Sequence, residues 1–194
     1  MNLPNKLTVL RMLLIPVFLF CMLVPFQHHF LVALLVFAGA SLTDLFDGKI
    51  ARARGLVTNF GKFMDPLADK LLVMSALVCL AQLPSDLSPL NLPVVVLVLI
   101  LSREFAVTAL RTLAADNGVV IAADKWGKLK TVSQMSWICY ALLMLWAFTE
   151  LPLVLPELCM LVVYWAGMAV VVVATVGSGI NYLWKNRTLF THSK

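Results

Sequence analysis

Four aspartates, Asp44, Asp47, Asp65 and Asp69, stand close together in a chain otherwise made of apolar runs. A carboxylate at the centre of a membrane helix costs about 3 kcal/mol, so four amount to roughly 10 kcal/mol unless cations offset them. Their clustering is a functional-site signal. Four oxygen donors with no His or Cys beside them suit a hard cation, Mg²⁺ or Mn²⁺, rather than zinc. Two divalent ions would neutralise the four carboxylates. Without metal, like charges this close would drive one or more of them to the protonated form. A pair of ions ~3.5 to 4 Å apart suits displacement at phosphorus, polarising a pyrophosphate and stabilising charge on the attacking and leaving oxygens. The chemistry implied is phosphoryl-type transfer.

Helices are the elements that must hold these groups. At about 100° per residue, Asp44 and Asp47 share a stripe with Gly48 and Ala51, which leaves room beside the acids for a ligand. Further on, Gly61, Asp65 and Asp69 recur every fourth residue with Ala68 beside them, and a short turn over residues 53–60 lets the second stripe face the first. Small residues also serve plain helix packing in membranes, but sharing a face with the acids favours the ligand. Pro16 and Pro66 are expected to kink their helices, Pro66 directly beside Asp65.

Composition sets the class. The 194 residues are 61% hydrophobic and 13% charged, against about 25% charged in soluble domains, and the mean hydropathy is +0.94. The chain is expected to be an all-α polytopic membrane protein, one domain over 1–194, with six transmembrane helices at about 5–25, 30–52, 61–83, 91–115, 127–149 and 157–185. The turns near residues 28–29, 82–91 and 149–157 contain no Lys or Arg, so the positive-inside rule places them outside and both termini in the cytosol. Apolar runs of half a bilayer follow Arg11 and Lys70 and precede Asp44 and Arg103. That division predicts a polar chamber open to the cytosol and sealed on the outer side.

The net charge of +5 fits orientation and attraction to anionic lipid, but individual positions ask for more. Arg11, Arg103, Arg111, Lys128 and Lys130 make the cytosolic half cationic, which suits a phosphorylated small alcohol better than a neutral one, since Arg grips phosphate bidentately and Lys attracts it as a point charge. Arg103 has the alternative of pairing with Glu104, and Lys125 reads as a loop charge. Cys21, Cys79, Cys139 and Cys159 stand singly in apolar segments, as buried reduced thiols do. The first apolar run, which contains Arg11 and lacks a small-residue cleavage site, is expected to be a retained helix, and with no internal repeat or nucleic-acid motif in view no nucleic-acid partner is expected.

The run Asp44-x-x-Asp47-Gly48-x-x-Ala51-Arg52, eight residues, then Gly61-x-x-x-Asp65-x-x-x-Asp69 resembles in full the signature of the CDP-alcohol phosphatidyltransferases. The resemblance implies a six-helix membrane enzyme, usually a homodimer, that moves a phosphatidyl group from CDP-diacylglycerol to an alcohol and releases CMP. By it, Asp44, Asp47, Asp65 and Asp69 would hold the two metal ions, with Asp69 also the general base on the acceptor hydroxyl. Asp44, Gly48, Ala51, Arg52 and Gly61 would line the CDP-lipid site. Asn2-Leu3-Pro4 with Thr8 and Arg11, Ser102-Arg103-Glu104 with Ala109-Leu110-Arg111, and Trp126-Gly127-Lys128-x-Lys130-Thr131 with Gln134-Met135 resemble a bacterial branch whose acceptor is glycerol 3-phosphate. That likeness would bring Thr8, Arg11, Arg103, Arg111, Lys128 and Lys130 to the acceptor and the enzyme to the inner membrane with its site facing the cytosol. It ends near residue 135, and the remainder is expected to pack helices, meet lipid or form the dimer. Two other readings stay open: a sister transferase with inositol phosphate or phosphatidylglycerol as acceptor, and a divalent-cation channel or carrier.

Overall fold

The computed structural model describes residues 3–54, 59–116, 125–151 and 157–187, and the side chains of all of these but 3–4, 44–54, 59–63, 65, 85, 88 and 116. Among the described residues there are six α-helices and no strand: α1 (Leu3–Leu23), α2 (His29–Arg54), α3 (Asn59–Ala81), α4 (Val94–Asp116), α5 (Lys125–Glu150) and α6 (Glu157–Lys185). The expected helices are all present, within a few residues at each end. Between α3 and α4 the segment Ser85–Leu90 adds a short 3-10 helix. Its prolines, Pro84 and Pro89, cannot continue an α-helix, and Leu87 N donates to Pro84 O at 3.0 Å. Helices α1 and α3 both run on past their internal prolines, Pro16 and Pro66.

Asn5–Leu23, Lys125–Glu150 and Glu157–Lys185 are long and apolar enough to cross a membrane, with a shorter apolar stretch over His29–Thr43. The chain is a membrane protein. Helices α3 and α4, 23 residues each, have the length of a span at 1.5 Å per residue. Charged residues at Asp65, Asp69 and Lys70, and at Arg103, Glu104 and Arg111, interrupt their apolar stretches.

The chain forms two compact units, Met1–Asn91 with Ile138–Glu157, and Leu92–Trp137 with Leu158–Lys194. In the first unit α1 packs along α2 and α3. Its buried stripe is divided by depth: Asn5, Thr8 and Arg11 occupy the early turns, and Ile15, Phe18 and Met22 the later ones. Helix α2 runs antiparallel, with Phe37 against Phe18 at 5.9 Å between ring centroids. The turn into α2 holds His28 at a φ of 59°, an uncommon conformation for a residue with a Cβ. Glu150, in the last turn of α5, accepts from His28 N at 3.1 Å, and Trp146 Nε1 donates to His28 Nδ1 at 3.1 Å.

In the second unit α6 is amphipathic in a sense opposite to that of a water-soluble helix. Its buried stripe contains Tyr164, Thr175, Ser178 and Tyr182, while Leu158, Val162, Val170, Val173, Ile180 and Trp184 are exposed. Polar groups turned inward and apolar ones outward are what hydrocarbon surroundings favour.

Candidate functional site

The aspartates extend buried stripes. On α2, Ala33, Phe37 and Ala40 are fully buried, and spacings of four and three carry that register directly onto positions 44 and 47. On α3, Ala68, Leu72 and Ala76 are buried, and positions 65 and 69 share their register. Asp69 is half-buried. The side chains of Asp44, Asp47, Gly48, Ala51, Arg52, Gly61 and Asp65 lie outside the described residues, although all seven positions fall on the helices α2 and α3 as expected. The donor set, four carboxylates in register on two neighbouring helices of one unit, fits a hard divalent cation in charge and chemistry. Thr8 and Arg11 belong to this same unit. Arg11 is 1% exposed, and its Nε donates to Ala40 O at 3.4 Å, one turn before Asp44. A cavity of about 290 Å³ lined by Met22, His29, Phe30, Cys79 and Leu87 is also in this unit. Cys79 is ten residues along α3 from Asp69, ~15 Å at the helical rise, so this cavity is separate from the acids.

Four of the expected basic residues lie in the second unit, in three different surroundings. Lys130 is 3% exposed and its ammonium is bonded to Glu104. Arg103 Nη1 donates to the same Glu104 oxygen at 3.2 Å, so Arg103, Glu104 and Lys130 form one cluster. A buried ammonium is retained only when paired, and Glu104 meets that need for Lys130. Arg103 is held between helix backbones. A Cβ placed on Gly127 would lie 3.8 Å from its Nη2, and one on Gly179 would lie 3.3 Å from its Cγ. Arg111 is engaged elsewhere: its Nε donates to Tyr182 Oη at 2.8 Å, and its guanidinium lies 5.5 Å from the centre of that ring. Lys128 is exposed, two residues from Lys130 and hence on the opposite side of α5. Lys125 is exposed too.

Other polar groups of this unit have no partner among the described residues. Gln134 leaves both Nε2 and Oε1 unbonded, Thr175 its Oγ1 and Arg103 its Nε. An unmade hydrogen bond of a buried group costs about 1–3 kcal/mol. Glu104 was visible in the sequence as a neighbour for Arg103. Thr175, Ser178 and Tyr182 were not singled out, though polar residues at spacings of three and four within so apolar a helix are the signal that would have found them. The cysteines divide: Cys21 and Cys79 are buried and Cys139 half-buried, all free, whereas Cys159 in the first turn of α6 is exposed, contrary to expectation.

One unit thus carries the four aspartate positions on two helices, and the other a buried cluster of Arg103, Glu104 and Lys130. The chain belongs to the CDP-alcohol phosphatidyltransferase family, whose model matches residues 1–176. It is 43% identical over 95% of its length to the CDP-diacylglycerol–glycerol-3-phosphate 3-phosphatidyltransferase of Bacillus subtilis, covering 95% of that protein. A probable phosphatidylglycerophosphate synthase of Mycobacterium tuberculosis is 47% identical over 69% of the chain and 62% of its own length. The Pseudomonas fluorescens CDP-diacylglycerol–glycerol-3-phosphate 3-phosphatidyltransferase is 44% identical over 70% of the chain and 69% of its own length. The Bacillus match and the family model both extend beyond residue 135, so the family likeness takes in much of the last third of the chain, where the motifs alone gave none.

Proposed function

We propose that this protein transfers the phosphatidyl group of CDP-diacylglycerol to sn-glycerol 3-phosphate, yielding phosphatidylglycerophosphate and CMP. The observation that carries this reading is the similarity over 95% of both chains to a protein named for that reaction. The buried Arg103–Glu104–Lys130 cluster agrees with it, because a guanidinium and an ammonium are the donors suited to a phosphorylated acceptor.

Asp44, Asp47, Asp65 and Asp69 are the groups that would hold two Mg²⁺ or Mn²⁺ ions. When bound, these ions supply charge neutralisation for the pyrophosphate and the departing CMP. Asp44, Gly48, Ala51, Arg52 and Gly61 line the CDP-lipid site, where the small residues admit the nucleotide. Asp69 accepts the proton of the acceptor hydroxyl, the alkoxide oxygen bonds to the lipid-side phosphorus, and the bond from that phosphorus to the CMP oxygen breaks. Lys130 and Arg103 attract the acceptor phosphate. Thr8 and Arg11 contribute from α1, and Arg111 and Lys128 add positive potential from exposed positions.

All six helices span the inner membrane in this reading, with both termini and a polar chamber on the cytosolic side. The turns at 28–29, 82–91 and 149–157 lack Lys and Arg, and the buried stripe of α1 is polar only in its early turns. The family model crosses both compact units, which supports one catalytic domain, and the family likeness supports a homodimer. The test is CMP release by purified protein from CDP-diacylglycerol and Mg²⁺, with glycerol 3-phosphate, inositol 1-phosphate, serine or phosphatidylglycerol supplied in turn. Release that requires glycerol 3-phosphate is expected; release with another acceptor would overturn the assignment of the basic cluster, and none with any acceptor would overturn the transferase reading.

A further inference from the structure

We infer that Gln134 and Thr175 belong to the acceptor subsite, where they bind oxygens of the phosphorylated alcohol that Lys130 attracts; this rests on the function proposed above. Gln134 is 2% exposed and Thr175 is fully buried, yet neither end of the Gln134 amide, nor the Thr175 hydroxyl, meets a partner among the described residues. Gln134 lies one turn along α5 from Lys130 and on the same stripe. The register of α6 supplies the second residue. Trp137 Nε1 donates to Tyr164 O at 3.0 Å, and the Trp137 ring abuts Gly167, where a Cβ would come within 2.9 Å of its Cδ1. At the other end of this pairing, Arg103 touches both Gly127 and Gly179. Helices α5 and α6 therefore run antiparallel here, and counting along both from these contacts brings Thr175 to about the level of Lys130.

Within about one helical turn this unit thus collects an ammonium and, without partners among the described residues, a guanidinium Nε, a carboxamide and a hydroxyl. The chemistry is complementary to a polyol phosphate. Ammonium and guanidinium only donate and suit phosphate oxygens, whereas the carboxamide and the hydroxyl both donate and accept, as recognition of an alcohol O–H requires. Neutral donors beside the Arg103–Glu104–Lys130 cluster add grip on the phosphate without adding buried charge. A site that hydrogen-bonds its substrate in this way also discriminates strongly against analogues that leave its polar groups unpaired.

The experiment uses the full chain in lipid or detergent micelles. Gln134→Leu and Thr175→Val remove the polar atoms at nearly constant volume, and Ser136→Ala, at an exposed position of α5, is the control. KM for glycerol 3-phosphate, KM for CDP-diacylglycerol and the thermal midpoint with and without glycerol 3-phosphate are measured on each. For Gln134→Leu the acceptor KM rises about tenfold, and for Thr175→Val about threefold, with the lipid KM unchanged. The midpoint without acceptor stays level or rises, since a buried unpaired group has been removed, and the stabilisation by glycerol 3-phosphate is lost. An unchanged acceptor KM in both variants, or an equal rise for both substrates, would overturn the inference. Should Gln134→Leu fail to fold, Gln134→Glu keeps the shape and sets a carboxylate against the phosphate, so a flat acceptor KM there is equally decisive. The two readings fail separately: an inactive or differently selective wild type breaks the function, whereas an active wild type matched by its variants breaks only this subsite.

Discussion

In α2 and α3 the candidate metal-holding groups are of one sign and recur along single helices, Asp44 with Asp47 and Asp65 with Asp69. In α4 and α5 opposite signs meet from different helices, Arg103 and Glu104 against Lys130. In the function proposed above, the first arrangement is the one that would be neutralised by cations from outside the chain. The second is nearly balanced from within and can be buried without a ligand. On the proposed reading, the acidic helices would hold metal and the mixed cluster would receive the phosphorylated acceptor.

The largest expected effects break the acidic side. Asp69→Asn is expected to lower turnover about 10³-fold, the scale of a lost general base, while CDP-diacylglycerol binding changes only a few-fold; CMP release and a lipid-nucleotide binding assay give the two numbers. Turnover within a factor of ten of wild type would remove Asp69 from the base role. Chelation should abolish CMP release, with recovery on adding Mg²⁺, and activity that persists in chelator would detach the acidic stripe from metal altogether.

The basic side is sharpened by two lysines that are neighbours in sequence and opposites in environment. Lys130→Met should raise the acceptor KM about 10- to 100-fold, the range of a lost charge-assisted hydrogen bond. Lys128→Ala should change it about threefold or less, and the change should fade in high salt as screening removes a long-range field. Comparable effects from the two would show that burial and pairing do not distinguish them. Gly167→Ala tests the frame that holds this cluster: the added Cβ would meet Trp137 Cδ1 at 2.9 Å, and the indole is buried and bonded to Tyr164 O. A loss of about 1–3 kcal/mol in stability is expected, and a thermal midpoint equal to wild type would mean the ring moves freely. Smallest is Tyr182→Phe, which removes the acceptor of the Arg111 Nε hydrogen bond and should cost about 0.5–1.5 kcal/mol by denaturation, with the acceptor KM little changed.

Helix number, order and approximate ends were legible because a span is a local property: some twenty apolar residues between polar turns suffice to define it. The Asp44-to-Asp69 signature was legible for a related reason, since positions three and four apart on one helix share a face whatever the rest of the chain does. Two features escaped that logic. The 3-10 turn at Ser85–Leu90 lies in a connection where no periodicity applies, and the reach of the family likeness beyond residue 135 has no motif to announce it.

What the sequence by itself determined, then, is the helical membrane class and the acidic stripe, both written in spacings along one segment. Only the tertiary structure decided which cations are used in which way. Five basic residues of similar appearance became a cation bonded to Ala40 O, a clustered pair on Glu104, a partner of Tyr182 and an exposed charge. It also buried Gln134 and Thr175 without partners among the described residues. The physical reason is that burial and pairing depend on which helices meet and in what register, and those contacts join residues far apart in the chain.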